Sequence, residues 1–92
     1  MRQARESSIE QACVKLAKER HAILLKIRGE KGMPDRILLR EDGTIAFCEF
    51  KQEGKPLQPI QEEMFSRLRF RHFKCYEVDN VQLFKRILAN DC

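Results

Sequence analysis

The sequence contains no C-x-x-C pair, no long apolar run and no repeated or low-complexity segment, and each absence excludes a class of protein. The chain has four scattered cysteines: Cys13, Cys48, Cys75 and Cys92. Neither His21 nor His72 lies at a zinc-ligand spacing from a cysteine, so the pattern does not predict a structural zinc site. Without a membrane span or a signal peptide, we expect an intracellular, cytoplasmic protein with reduced cysteines.

The length and composition predict one small domain over residues 1–92. Hydrophobic residues make up 42% of the chain, which is enough for one core. A chain of this size buries only about two-thirds of its unfolded surface, so dimerisation would add stability. The formal net charge is +4, with 18 Lys and Arg against 14 Asp and Glu, and the pI is about 9.0. This excess is compatible with a polyanionic partner but supports nucleic acid only weakly by itself.

The stretch from Gly32 to Lys51 places charged groups where a core strand is normally apolar. In a strand over residues 45–51, Glu49 and Lys51 share a face with Ile45 and Phe47. Burial of a charge is costly unless the charge is paired or bound to a cation, and Asp35, directly after a proline, adds another carboxylate. We interpret this stretch as a metal-dependent phosphodiesterase site. The alternative is a surface ion pair between Glu49 and Lys51, with Asp35 as a strand cap.

The remaining patterns predict an α/β protein in the order α-β-β-β-α-β-α. Ser7 and Glu10 match a capping box that opens the first helix, and Asp79 or Asn80 caps the last one. The predicted helices cover residues 7–20, 59–69 and 81–89, and the predicted strands cover residues 22–27, 35–40, 45–51 and 75–78.

The register of the hairpin formed by the second and third strands decides whether the site assembles. A two-residue turn at Asp42 and Gly43 would pair Asp35 with Phe50 and place Asp35 on the opposite face from Glu49. A three-residue connection, or one bulge in either strand, would pair Asp35 with Lys51 and bring both carboxylates to one face. We therefore predict such an irregularity.

The residue types fit divalent-cation chemistry. Cleavage of a phosphodiester needs a nucleophilic water and a cation that neutralises developing charge. Mg²⁺ prefers oxygen ligands, which Asp35, Glu49 and the backbone carbonyl of Phe50 can provide. Lys51, on the same face, can hold the attacking water or the phosphate and assist proton transfer.

These motifs resemble the PD-(D/E)XK superfamily of restriction-endonuclease-like nucleases, and more narrowly a standalone VRR-NUC domain. The resemblance covers roughly residues 7–88 and implies a mixed central sheet flanked by helices. It also fits a phage or bacterial origin. The motifs that carry it are Glu10 on the first helix, Gly32-Met-Pro-Asp35, Glu49-Phe-Lys51 fourteen positions further on, and Gly54-Lys-Pro-Leu-Gln-Pro-Ile-Gln61.

The resemblance implies Mg²⁺ or Mn²⁺ as the cofactor, with Asp35 and Glu49 as ligands and Lys51 as the residue that positions water or polarises the phosphate. Glu10 would be an additional carboxylate that reaches the metal, although its role as a helix cap stays open. Gln61 would lie at the edge of the site, or be an exposed helix glutamine. Phe65 replaces the tyrosine of the related Q-x-x-x-Y element, so we assign it to the core.

The expected function is structure-selective cleavage of DNA, such as four-way junctions, by a homodimer without a small-molecule cofactor. The alternatives are a flap or duplex nuclease, and a non-catalytic nucleic-acid-binding or assembly domain that keeps the fold. The apolar residues of the last helix could serve a dimer interface or pack on the protein's own sheet. The expected DNA contacts are Arg28, Lys31, Lys55, Arg69, Arg71 and Lys74, which would line a channel across both subunits.

Overall fold

The computed structural model describes residues 5–92, and its helices and strands follow the predicted order. The helices are α1 (Glu6–Glu19), α2 (Pro59–Phe70) and α3 (Val81–Leu88). The strands are β1 (Ile23–Lys26), β2 (Arg36–Leu39), β3 (Ile45–Phe50) and β4 (Cys75–Val78). No helix within the described part of the chain is long and apolar enough to cross a membrane.

The four strands form one mixed sheet in the order β1-β2-β3-β4. The β1, β2 and β3 strands are successively antiparallel, whereas β4 pairs with β3 in parallel. A parallel pair requires a crossover connection, which α2 provides. This crossover brings the first turn of α2 to the end of β3 where Glu49 lies, and it brings the last turn of α2 to the opposite end.

Helices cover both faces of the sheet, so β3 is buried almost throughout its length. Residues Ala46, Cys48 and Phe50 of β3 pack with buried side chains of α1 and α3. On the other face, Phe47 packs with Phe65 of α2. The strand is therefore apolar on both faces, and Glu49, only 3% exposed, is the acidic exception.

The termini of α1 and α3 test two of the predicted caps. The predicted capping box of Ser7 and Glu10 is wrong: α1 begins at Glu6, and its N-cap residue, Arg5, makes no side-chain cap hydrogen bond. Ser7 therefore lies inside the first turn, and Glu10 finds an ionic partner elsewhere. The predicted cap at Asn80 is confirmed, because its Oδ1 accepts a hydrogen bond of 2.8 Å from the Leu83 backbone N–H.

The apolar residues of α3 pack inside the protomer. Phe84 and Ile87 are fully buried, and Leu83 and Leu88 pack against the same core cluster. Of the two roles open for this helix, packing on the protein's own core is the observed one.

The β2–β3 connection confirms a three-residue loop and corrects the predicted pairing. The Arg40 N–H donates to the Thr44 carbonyl, so the connection is residues 41–43. Arg36 pairs with Cys48, and one further step of this register places Asp35 opposite Glu49, not opposite Lys51. The loop starts one residue earlier than predicted, which shifts the pairing by two residues. A shift of two preserves the face, so the carboxylates still meet.

A close contact at Gly32 fixes the loop that precedes Asp35. Gly32 has φ of +82°, and a Cβ atom there would lie 2.9 Å from the Ile60 carbonyl oxygen. The loop thus packs directly on the first turn of α2, and this contact requires the absence of a side chain.

We expect Gly32→Ala to lower the free energy of unfolding more than Gly29→Ala, by about 1–3 kcal/mol. Gly29 is a matched control because it also has a positive φ, +105°, but its Cβ would meet nothing within 4 Å. Both variants carry the backbone strain, and only Gly32→Ala carries the clash. Urea denaturation measures both losses, and equal losses would contradict the proposed role of the close contact.

Candidate functional site

The end of β3 and the residue that precedes β2 bring two carboxylates together. Asp35 follows Pro34, whose side chain is fully buried, and its Oδ2 accepts a hydrogen bond of 2.9 Å from the Phe50 backbone N–H. This bond fixes the Asp35 carboxylate beside Glu49, the neighbour of Phe50 in β3. The Phe50 side chain is buried in the core on the other face, so only its backbone can belong to the site.

One carboxylate oxygen of Glu49 accepts a hydrogen bond, and the other has no hydrogen-bond partner among residues 5–92. Its Oε2 accepts a hydrogen bond of 3.0 Å from Gln61 Nε2 and lies 3.9 Å from Lys51 Nζ. Its Oε1 is buried and has no hydrogen-bond partner among residues 5–92. A buried carboxylate oxygen without a donor is costly, so this atom identifies a position suited to a cation or a proton.

The environment raises the pKa of Glu49 from 4.5 to about 8. Burial is the largest cause, because it disfavours the charged form, and the negative charge of Asp35 adds to it. The ammonium of Lys51 opposes the rise but does not cancel it. Without a bound cation, Glu49 is therefore mainly protonated at neutral pH.

The donor set fits a hard divalent cation that keeps several non-protein ligands. Asp35 and Glu49 offer carboxylate oxygens, and the Glu49 Oε1 lacks a partner. Residues 5–92 contain no cluster of three or more His, Cys, Asp or Glu side chains that could hold a metal. The remaining ligands would have to be backbone carbonyls, water or substrate oxygens, which is the coordination that Mg²⁺ commonly has.

Glu10 lies in the α1 layer and is bound there by an arginine. Its Oε2 accepts a hydrogen bond of 2.6 Å from Arg36 Nε. Arg36 also donates to the Leu24 carbonyl at 3.2 Å, so the ion pair joins α1 to the edge of the sheet.

Glu6, one turn earlier on the same helix, is an exposed carboxylate with a minor influence on the site that the sequence analysis did not identify. Its charge contributes to the raised pKa of Glu49, whereas Glu10 is not among the causes. The signal was available, because residues at i and i+4 share a helix face. Because they are four residues apart, Glu6 and Glu10 share a helix face, but only Glu10 fitted the predicted capping box.

Gln61 links the first turn of α2 to Glu49. Its Oε1 accepts a hydrogen bond of 2.9 Å from the Gln58 backbone N–H, and its Nε2 donates to Glu49. The amide is therefore oriented from both sides. Phe65, one turn further along α2, is 1% exposed and belongs to the core.

The six basic residues expected to contact DNA divide into two groups. Arg28, Lys31 and Lys55 are exposed on the loops that flank the site. The others, Arg69, Arg71 and Lys74, lie in the last turn of α2 or beyond it, about 12 Å or more from Gln61 along the helix axis. One protomer therefore does not arrange all six beside the carboxylates.

The mixed sheet with helices on both faces, and an acidic-x-Lys strand end beside a second carboxylate, define a restriction-endonuclease-like α/β architecture. A solved structure of a VRR_NUC domain superposes on this chain with a TM-score of 0.79 and 21% sequence identity. The match covers 94% of this chain and 97% of that one. No family model and no curated protein matches the sequence. The chain has the fold of a VRR-NUC domain, which confirms the predicted fold.

The pKa of Glu49 predicts how the stability of the metal-free protein depends on pH. The folded-state pKa, about 8, lies above the ordinary value of 4.5, so the unfolded chain loses this proton first. The contribution of Glu49 is complete below pH 4.5 and is lost as the pH rises to about 8. Each pH unit in that interval changes the free energy of unfolding by about 1.4 kcal/mol at most.

We therefore expect Glu49→Gln to flatten this pH dependence and to be more stable than wild type near pH 8. Urea denaturation in the presence of EDTA, repeated across this interval, measures the effect. Glu63→Gln, which removes a carboxylate from the exposed surface of α2, is the control. Parallel profiles for wild type and Glu49→Gln would contradict the raised pKa.

Proposed function

We propose that this protein is a Mg²⁺ or Mn²⁺ dependent endonuclease that hydrolyses phosphodiester bonds in DNA, with preference for branched DNA such as four-way junctions. The observation that carries the proposal is the pairing of Asp35 with Glu49 beside Lys51. A merely structural ion pair needs neither a second carboxylate nor an unpartnered Glu49 oxygen. The VRR-NUC fold supports the same conclusion.

Asp35, Glu49 and the Phe50 backbone carbonyl would hold the cation. When bound, it would supply positive charge that offsets the negative charge developing on the phosphate and on the departing oxygen. Binding at neutral pH requires Glu49 to give up its proton, because burial and Asp35 raise its pKa.

In this proposal Lys51 would act on the substrate. Its backbone N–H donates to the Val78 carbonyl at 3.0 Å, which fixes the base of the side chain, and the side chain is 12% exposed. The ammonium can donate hydrogen bonds to a phosphate oxygen or hold the attacking water. Gln61 keeps the Glu49 Oε2 oriented, and Arg28, Lys31 and Lys55 can contact neighbouring phosphates.

The proposed preference for branched DNA is supported by the small size of the described fold. Within residues 5–92, the helices and strands belong to one sheet-and-helix core, so none of them is a separate module for reading bases in a groove. Recognition by backbone contacts reports the shape of the DNA more than its sequence.

We also propose that the protein acts as a homodimer, because resolution of a four-way junction requires two paired cuts. The α3 helix is not the support for this, since its apolar side chains are used in the core. Ile23 and Leu25, 54% and 49% exposed on the edge strand β1, offer an apolar surface for a second copy. Sedimentation as a monomer at micromolar concentration would contradict the dimer.

Substitutions at the site should separate metal binding from catalysis. We expect Lys51→Ala to retain Mn²⁺ binding and DNA binding but to lose cleavage of a four-way junction by about a hundredfold or more. Asp35→Ala and Glu49→Ala should lose cleavage and also weaken Mn²⁺ binding measured by calorimetry, because these residues are the ligands.

Lys18→Ala, a charge removal on the exposed surface of α1, is the matched control and should cleave like wild type. Cleavage by Lys51→Ala at the wild-type rate would refute the assignment of this lysine. Cleavage of linear duplex as fast as the junction would refute the selectivity while leaving the nuclease site intact.

A comparison of Glu6→Gln with Glu10→Gln tests whether either carboxylate of α1 contributes to the site. We expect Glu6→Gln to cleave close to the wild-type rate, because Glu6 is exposed and its charge is the smallest cause of the raised pKa of Glu49. Glu10→Gln should mainly weaken the ion pair with Arg36, at a cost below about 1 kcal/mol in stability. Thermal denaturation and junction cleavage measure the two effects. Loss of cleavage confined to Glu10→Gln would restore the role predicted from the sequence.

A further inference from the structure

A second surface lies at the end of the sheet opposite the carboxylates. We call residues 69–74, the last two residues of α2 and the four that join it to β4, the basic-aromatic corner. It contains Arg69, Phe70, Arg71, His72, Phe73 and Lys74. The Lys74 carbonyl accepts a hydrogen bond of 2.8 Å from the Phe47 N–H, which fixes the corner beside the early part of β3.

The two phenylalanines of the corner differ in exposure. The Phe73 ring packs edge-to-face on Phe47, with 5.6 Å between the ring centroids, and is 38% exposed. Phe70 is 81% exposed, which is the highest value among the exposed large apolar residues of the range 5–92. The core therefore holds one ring and leaves the other in solvent, where an aromatic side chain is available to stack on a ligand.

The charged residues of the corner are all basic. No acidic residue occurs between Glu63 and Glu77, whereas Arg67, Arg69, Arg71 and Lys74 are basic. These basic residues and the exposed ring belong to one short segment, so the segment attracts anions.

Two of the arginines are held in place by the protein itself. Arg69 donates a hydrogen bond of 2.7 Å to the Cys75 carbonyl, and its guanidinium lies 5.0 Å from the centroid of the Phe65 ring. Arg71 donates to the Arg67 carbonyl at 2.8 Å. Beside them is an open cleft of about 500 Å³ lined by Arg69, His72, Phe73, Lys74, Cys75, Tyr76 and Cys92. Fixed cations reduce the entropy lost when a ligand binds.

We propose that the basic-aromatic corner binds single-stranded DNA, with a base stacked on Phe70 and phosphates held by Arg71 and Lys74. An exposed ring together with basic residues in one short segment is the combination that binds unpaired bases together with their backbone. Duplex DNA would use the charges but not the ring, because its bases already stack on one another. This site is separate from the carboxylates and does not depend on the proposed cleavage.

A second copy of the chain fits this surface poorly. A two-fold symmetric contact brings a patch against its own equivalent, so it would place the basic residues of two corners side by side. Like charges brought together in this way are repulsive.

The absence of tryptophan from the chain allows a direct test. The variant Phe70→Trp keeps an aromatic ring and introduces a single tryptophan, whose emission can be excited selectively beside Tyr76. We expect a short oligothymidylate, added in EDTA so that no cleavage occurs, to quench this fluorescence at saturation. Gln82→Trp, on an exposed position of α3, is the control and should show no comparable quenching. No quenching of Phe70→Trp would overturn the proposal.

Affinity measurements provide a second, independent test of the proposal. We expect Phe70→Ala to weaken oligothymidylate binding about tenfold or more, and to weaken binding of duplex of equal length much less. Lys74→Ala should reduce the dependence of log affinity on log salt by about one, whereas Lys85→Ala on α3 should leave it unchanged. Circular dichroism checks that each variant is folded.

Three results would overturn the inference, and the last two would also indicate another occupant. The first is Phe70→Ala binding oligothymidylate like wild type. The second is oligoglutamate of equal charge quenching Phe70→Trp as strongly as the DNA does, which would indicate an acidic protein partner. The third is a change in oligomeric state in Phe70→Ala, which would indicate an interface between copies.

Discussion

The close approach of Asp35 and Glu49 is the constraint on which the rest of the site depends. Two carboxylates at the end of an otherwise apolar strand are unfavourable in a low-dielectric environment, and the raised pKa of Glu49 expresses that cost. The protein offsets the cost only in part: Gln61 and Lys51 approach one Glu49 oxygen, and the Phe50 N–H donates to Asp35. The second Glu49 oxygen is left without a partner within residues 5–92, so the fold keeps a position that a cation would stabilise.

The crossover from β3 to β4 explains why these groups converge. Because β4 is parallel to β3, α2 must run back along the sheet, and its first turn lies where β3 ends. Gln61 reaches Glu49 from that turn. The close packing of Gly32 on Ile60 joins the loop before Asp35 to the same turn. The β2–β3 pairing and this crossover together assemble Asp35, Glu49 and Gln61.

The same crossover separates the charges of the molecule. The end of the sheet at which β3 finishes carries Asp35 and the buried Glu49, and the end at which α2 finishes carries the basic-aromatic corner. An anionic polymer would be attracted to both ends for different reasons: to the corner by direct charge attraction, and to the carboxylates only after a cation has neutralised them.

The sequence by itself determined the order of the elements, because hydrophobic periodicity, the Asp42–Gly43 turn signal and the Asn80 cap are all local. The sequence left open whether Asp35 and Glu49 share a face, because the Asp42–Gly43 signal by itself gives a two-residue turn with the opposite parity. The tertiary structure decided that both carboxylates share a face, and it decided the pairing itself, the partner of Glu10 and the separation of the basic residues. These depend on distances between segments far apart in the chain, and packing fixes those distances, whereas local patterns do not.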